Sequence, residues 1–257
     1  MLNSFTARER HALLFMLLVI IAGLALPAIH QPESYHAFAD QRVFLGIPHF
    51  ADVVSNGLFA VAGVLGAMLL RRTALPAGTK APFAVFFTGL ALTAVGSGYY
   101  HWAPDSQTLV MDRLPMVIAF AGVIGVFLAQ RVSPRLGTIG MWVSLATGAA
   151  GLLASVTTGN LALYLALQFG GLAGLVVGLL TLKAPRDGMP WWPLIGWYIV
   201  AKALELGDQV VWALTQQLVS GHTLKHLAAG MAGVVLWRAL ARTAPPAPNQ
   251  PLANVAG

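Results

Sequence analysis

Apolar residues follow one another along this chain in runs of membrane length, with no period-two alternation, broken by short clusters of proline, glycine and charge. Continuous runs of this kind predict helices rather than strands. Eight helices are expected, at 11–29, 50–70, 82–101, 109–130, 137–157, 160–182, 191–215 and 221–241. Each is long enough to cross roughly 30 Å of hydrocarbon at about 1.5 Å per residue. The expected fold class is therefore an all-α polytopic transmembrane helix bundle. Small residues recur within the runs, as in GLFAVAGVLGAML and GGLAGLVVGLL, and let helices approach closely. The Pro- and Ala-rich tail, 243–257, is expected to be disordered.

Composition strengthens this picture. Only 9% of the 257 residues are charged and 57% are hydrophobic, against roughly 25% charged in a soluble domain. The net charge of +6 is a matter of loops and gives no nucleic-acid footprint. Arg8, Arg10, Arg71, Arg72, Lys80, Arg131, Arg135, Lys183, Arg186, Arg238 and Arg242 fall in alternate loops and at both ends. The intervening loops hold only Arg42 and Arg113. Basic loops stay inside, so both termini are expected in the cytoplasm. A signal peptide is the alternative for the first segment, but Glu9 and the length of the run suit a retained anchor. Cysteine is absent, which excludes disulfides and thiolate metal sites.

Against this apolar background the ionisable residues are functional candidates, because each is costly in a membrane. Ser97 and His101 stand four apart at the end of the third run, and His222 and His226 four apart at the start of the eighth, each pair on one helix face. Asp112 opens the fourth run. The topology places all five at the outward side, although none was used to draw it. Three neutral imidazoles can hold zinc and leave a fourth position for water, the pattern of a hydrolytic site. His101, His222 and His226 are therefore the expected metal ligands, Asp112 the general base, and Ser97 a donor to a developing oxyanion. The bland readings are a helix-start role for Asp112 beside Arg113, and a back-bonded helical serine at 97. Asp105 reads as a loop residue, and His11, His30, His36 and His49 as interfacial or packed. Lys202, Glu205 and Asp208, three apart, read as a structural ion-pair network, with Lys225 a partner for Asp208.

The motif set SGYYH, an aspartate eleven residues on, and a late HTLKH resembles the alkaline ceramidase family, including its bacterial phytoceramidase-like members. That family is similar to a wider set of membrane hydrolases that includes the adiponectin and progestin receptors. IPHFADVVSN resembles the segment that opens the family's seven-helix core, so the resemblance covers 47–240. It implies an anchor helix and outward loop at 1–46, a seven-helix catalytic core at 47–242, and a tail. It also implies zinc-dependent hydrolysis of a ceramide amide drawn from the bilayer, in a multi-pass protein of a bacterial inner membrane with its site toward the outer face. Two positions depart from the family. His49 stands where a calcium-binding acid is expected, and Lys225 where an aromatic residue lines the pocket. The rival readings are a receptor-like lipid sensor without turnover, and a transporter built on Lys202, Glu205 and Asp208. The short loops argue against the first, and the lack of an inverted repeat against the second.

Overall fold

The computed structural model describes residues 4–76, 78–183 and 189–243. Among them are nine helices and no strand. These are α1 (Ala7–Ala25), α2 (Phe50–Arg72), α3 (Lys80–Trp102), α4 (Thr108–Arg131), α5 (Pro134–Thr158), α6 (Ala162–Thr181), α7 (Trp191–Leu206), α8 (Asp208–Leu214) and α9 (Gly221–Thr243). Helices α2 to α6 are each long and apolar enough to cross a membrane, which makes the chain a membrane-embedded helical bundle. Large apolar side chains also cover its outside, among them Leu17, Val95, Leu153 and Leu180. A water-facing surface would not carry that belt. Arg186 and the tail from residue 244, which carry two of the sequence expectations, lie outside the described residues.

Each of the eight expected runs is helical, and the departures have local causes. Helix α1 starts at Ala7 rather than 11 because Thr6 and Glu9 form a capping box. The Thr6 hydroxyl accepts from the Glu9 amide (3.3 Å), and the Glu9 carboxylate accepts from the Thr6 amide (2.8 Å). It ends before 29 because Pro27 holds Leu26 extended, at ψ 146°. Helix α2 bends at Asn56, where the Ser55 hydroxyl and the Asn56 amide both donate to the Asp52 carbonyl and compete with the backbone ladder. The run expected at 191–215 breaks at Gly207 into α7 and α8. Residues 166–170 of α6 form a single π turn.

The helix ends sort into two sets. The start of α1 meets the α4–α5 turn, where the Ser133 hydroxyl donates to Glu9 (2.6 Å), and Arg135 donates to the Ser4 carbonyl (3.5 Å). At the opposite end, the connection at 26–49 is strapped across the bundle. The Ile29 carbonyl accepts from the Leu161 amide (2.8 Å), Tyr35 donates to Glu205 (3.2 Å), and the Ala39 amide donates to Asp208 (2.9 Å). Arg42 pairs with Asp40 (2.6 Å) and donates to the Leu218 carbonyl. Burial pushes the Asp40 carboxyl up, but the hydrogen bonds and charge of Arg42 outweigh it and hold the group below its ordinary range. These contacts tie residues of the 1–46 segment directly to the helices of the expected catalytic core.

Two close approaches set the positions that matter for the site. Pro115 leaves the Met111 carbonyl of α4 without a helical partner, and that oxygen faces Gly96 of α3. A Cβ at Gly96 would lie 2.0 Å from it, so only glycine lets α3 and α4 close at this level. Gly221 plays the same part between α9 and α7, where a Cβ would lie 2.4 Å from the Leu204 carbonyl.

Candidate metal centre

Helix α3 delivers His101 on its last turn and α9 delivers His222 and His226 on its first two. The three rings form a nearly equilateral cluster, with centroids 4.7, 4.8 and 4.9 Å apart. One nitrogen from each lies within 4.8 Å of the others, and all three side chains are buried. Both His101 nitrogens and the His226 Nε2 have no hydrogen-bond partner among the described residues. Buried unpaired imidazole nitrogens are costly, and three histidines that turn them toward one another can hold a metal ion.

The tautomer of His226 follows from its neighbour. The Ser55 hydroxyl spends its proton on the Asp52 carbonyl (3.0 Å), so toward His226 Nδ1 (2.8 Å) it can only accept. Nδ1 then carries the ring proton, and Nε2 presents its lone pair to the cluster. Ser55 sits there because of the bend at Asn56. Replacing it with Ala leaves a buried N–H unpaired and frees the ring to rotate. Ser55→Ala is therefore expected to weaken metal binding by about 10–100-fold with the fold retained, read by competition with a metal-chelating dye.

His222 is held differently. Its backbone amide donates to Asp208 (2.8 Å), which caps α9 from α8, while its Nε2 meets the Lys225 ammonium (3.1 Å). A metal at His222 requires that ammonium to give up the ring. Glu205, 3.2 Å from Lys225, is in place to keep it.

Asp112 and Ser97 share a cavity of about 140 Å³ with His226 and Lys225. Both are buried, and neither makes a side-chain hydrogen bond or ion pair among the described residues. The reading of Asp112 as a partner of Arg113 fails. Arg113 instead bonds the Gln31 side chain and lies over the rings of Tyr35 (5.7 Å) and Tyr164 (5.3 Å). Ser97 is not back-bonded either, whereas Thr93 one turn earlier bonds the Gly89 carbonyl (2.8 Å). Away from the rings the cavity is apolar, lined by Phe59, Phe86, Leu90, Val123, Leu172 and Leu194.

Other assignments change. Lys202 pairs with Glu205 (2.6 Å) as the spacing suggested, but Glu205 does not meet Asp208. The break at Gly207 takes Asp208 out of register, and its oxygens cap α9 and hold Ala39. Lys225 accordingly pairs with Glu205, not Asp208. Asp105 accepts from the Gln107 and Thr108 amides (2.8 and 2.6 Å), the expected loop role. His36 bonds Tyr100 and Ser106, His49 bonds the Asp40 carbonyl, and neither joins the cluster.

Sequence reasoning missed Phe38, Ser55 and Asp52. Phe38, buried in the strap, packs its ring 4.6 Å from His101 and 4.5 Å from His222 and closes the centre from outside. Nothing in the spacing of the sequence marks it. Asp52 is fully buried and accepts from Ser220 (3.1 Å) and Thr223 (2.6 Å), tying α2 to the start of α9. An acid and an asparagine interrupting an apolar run were the available signal for that junction. No protein-family model matches this chain, and no curated protein matches it.

Proposed function

We propose that the protein is a zinc-dependent amidohydrolase of the membrane that cleaves the amide of ceramide or a related lipid, releasing a sphingoid base and a fatty acid. The observation that carries the reading is a carboxylate without an ion pair among the described residues, Asp112, in one largely apolar cavity with a ring of the buried histidine cluster. The three imidazoles suit zinc by donor type and number. Bound there, zinc supplies a water acidic enough to lose its proton near neutral pH.

The chain's own residues supply the rest. Asp112, unpaired, is free to take the water's proton and later give it to the leaving amine. Ser97, with its hydroxyl uncommitted, donates to the amide oxygen as negative charge develops there. The apolar walls would seat the part of the lipid next to its amide, and Phe38 shields the reacting groups from bulk water. A receptor-like lipid sensor would need the metal only as a clasp between α3 and α9, and an unpaired buried acid beside it would then be a cost without a return. The test is direct. Purified protein given ceramide should release sphingoid base, lose that activity to a chelator and regain it with zinc. A metal-loaded protein that binds ceramide and releases nothing would establish the sensor instead.

The same reading places the centre toward the outer face of a bacterial inner membrane, with both termini and the 73–79 loop in the cytoplasm. In a chain without cysteine, Gln107→Cys should react with an impermeant thiol reagent added to intact spheroplasts, and Arg72→Cys should react only after lysis. The reverse pattern would invert the orientation.

A further inference from the structure

A second cavity, of about 440 Å³, lies between α1 and the bundle and contains none of the clustered histidines and neither Asp112 nor Ser97. Its origin is the way α1 is seated. Along one side α1 presses on glycines of α6. A Cβ at Gly170 would lie 2.5 Å from Val19 Cγ1, and one at Gly174 would lie 2.8 Å from Phe15 Cε1. Beside that seam a gap between α1 and α4–α5 is walled by Phe15, Met16, Val19, Ile124, Phe127 and Leu128.

One end of the cavity is basic. Arg8 and His11 stand there beside Val132 and Leu182, the residues that follow α4 and α6, so this end lies at the helix termini and hence at the membrane boundary. Arg8 is exposed and makes no ion pair or side-chain hydrogen bond among the described residues. Of the charges near it, Glu9 is committed to Thr6 and Ser133, Arg10 to the Phe5 carbonyl and Arg135 to the Ser4 carbonyl. Deeper in, α5 offers Ser144 and Thr147. Both are buried and neither bonds its own helix, in contrast to Thr138 and Thr181.

We propose that this cavity binds an anionic phospholipid of the bilayer, with one acyl chain between α1 and α4–α5 and the headgroup against Arg8 and His11. The volume falls near the lower part of the roughly 300–1,000 Å³ that ligand pockets occupy, room for one chain rather than two. An apolar cavity that opens beside helix ends in a bilayer is filled by lipid, because an empty one forfeits its dispersion contacts. The uncommitted cation at the mouth selects the sign of the headgroup. The site is independent of the proposed hydrolysis.

The test uses the full-length protein reconstituted in phosphatidylcholine with acyl-chain spin-labelled phosphatidylglycerol as the probe, read as the motionally restricted fraction of label. Arg8→Gln, on an exposed first turn, should weaken the association about fivefold. Arg10→Gln should leave it unchanged, and labelled phosphatidylcholine should respond to neither. Ser144→Leu with Thr147→Leu fills the cavity without breaking a bond, and should remove the restricted phosphatidylglycerol. If that variant does not fold, the comparison of Arg8 with Arg10 decides alone. Equal weakening by Arg8→Gln and Arg10→Gln would reduce the effect to general surface charge and overturn the site. So would restriction of phosphatidylcholine to the same extent. Spin-labelled stearate held more tightly than phosphatidylglycerol, with the same dependence on Arg8, would replace the phospholipid by a free fatty acid and overturn the assignment.

Discussion

Asp112→Asn should fold, bind zinc like the parent and bind ceramide, yet hydrolyse its amide at least about 10²-fold more slowly, within the roughly 10²–10⁴ range of general-base catalysis. Asparagine keeps the size of the side chain and can still hydrogen-bond in the cavity, but it cannot take a proton. Asp112 makes no salt bridge among the described residues, but it lies in the field of the buried Lys225 ammonium, so the thermal midpoint is measured beside the rate to separate a folding loss from a catalytic one. The measurement is kcat and KM for sphingoid-base release together with zinc content. A fall in kcat at unchanged zinc places the loss in the chemical step. A rate within about threefold of the parent would remove Asp112 from the mechanism even with zinc in place.

The second large effect concerns the cluster itself. His101→Ala, His222→Ala and His226→Ala should each abolish stoichiometric zinc, because two imidazoles cannot replace three in a tetrahedral site that keeps a water position. The loss should also be visible as stability. Zinc would clasp the end of α3 to the start of α9, so saturating metal at about 1,000 times its Kd should stabilise the parent by about 4 kcal/mol. That increment should vanish in all three variants, read as the difference in thermal midpoint with and without zinc. A variant that keeps both the zinc and the increment would exclude that histidine as a ligand. His222→Ala is the most informative of the three, since it also releases Lys225, which contacts both the ring and Glu205.

Much of the architecture is legible along the chain because its causes are local. Long apolar runs locate the eight helical stretches, and the breaks at proline, glycine and charge locate their ends to within a few residues. The capping box at Thr6 and Glu9 is likewise a local signal, and it accounts for the earlier start of α1. The metal cluster is legible for a related reason. Residues four apart share a helix face whatever the helix packs against, and the bundle brings the end of α3 and the start of α9 together.

The partners of those residues are another matter, since each is chosen by how the helices bend, break and pack rather than by spacing along one helix. Spacing assigned Glu205 to Asp208 and Asp208 to Lys225. The break at Gly207 instead turns Asp208 to the His222 and Ala39 amides, and Glu205 takes Lys225. Ser55 meets His226 because α2 bends at Asn56. Phe38 closes on His101 and His222 because Asp208 and Glu205 anchor the strap that carries it. Asp112 is freed from Arg113 because Gln31, Tyr35 and Tyr164 surround the guanidinium instead. The chain alone therefore specifies which residues can face one another. Which of them meet, and which are left unpaired, depends on bends, breaks and close approaches whose energies arise only when the helices are packed together.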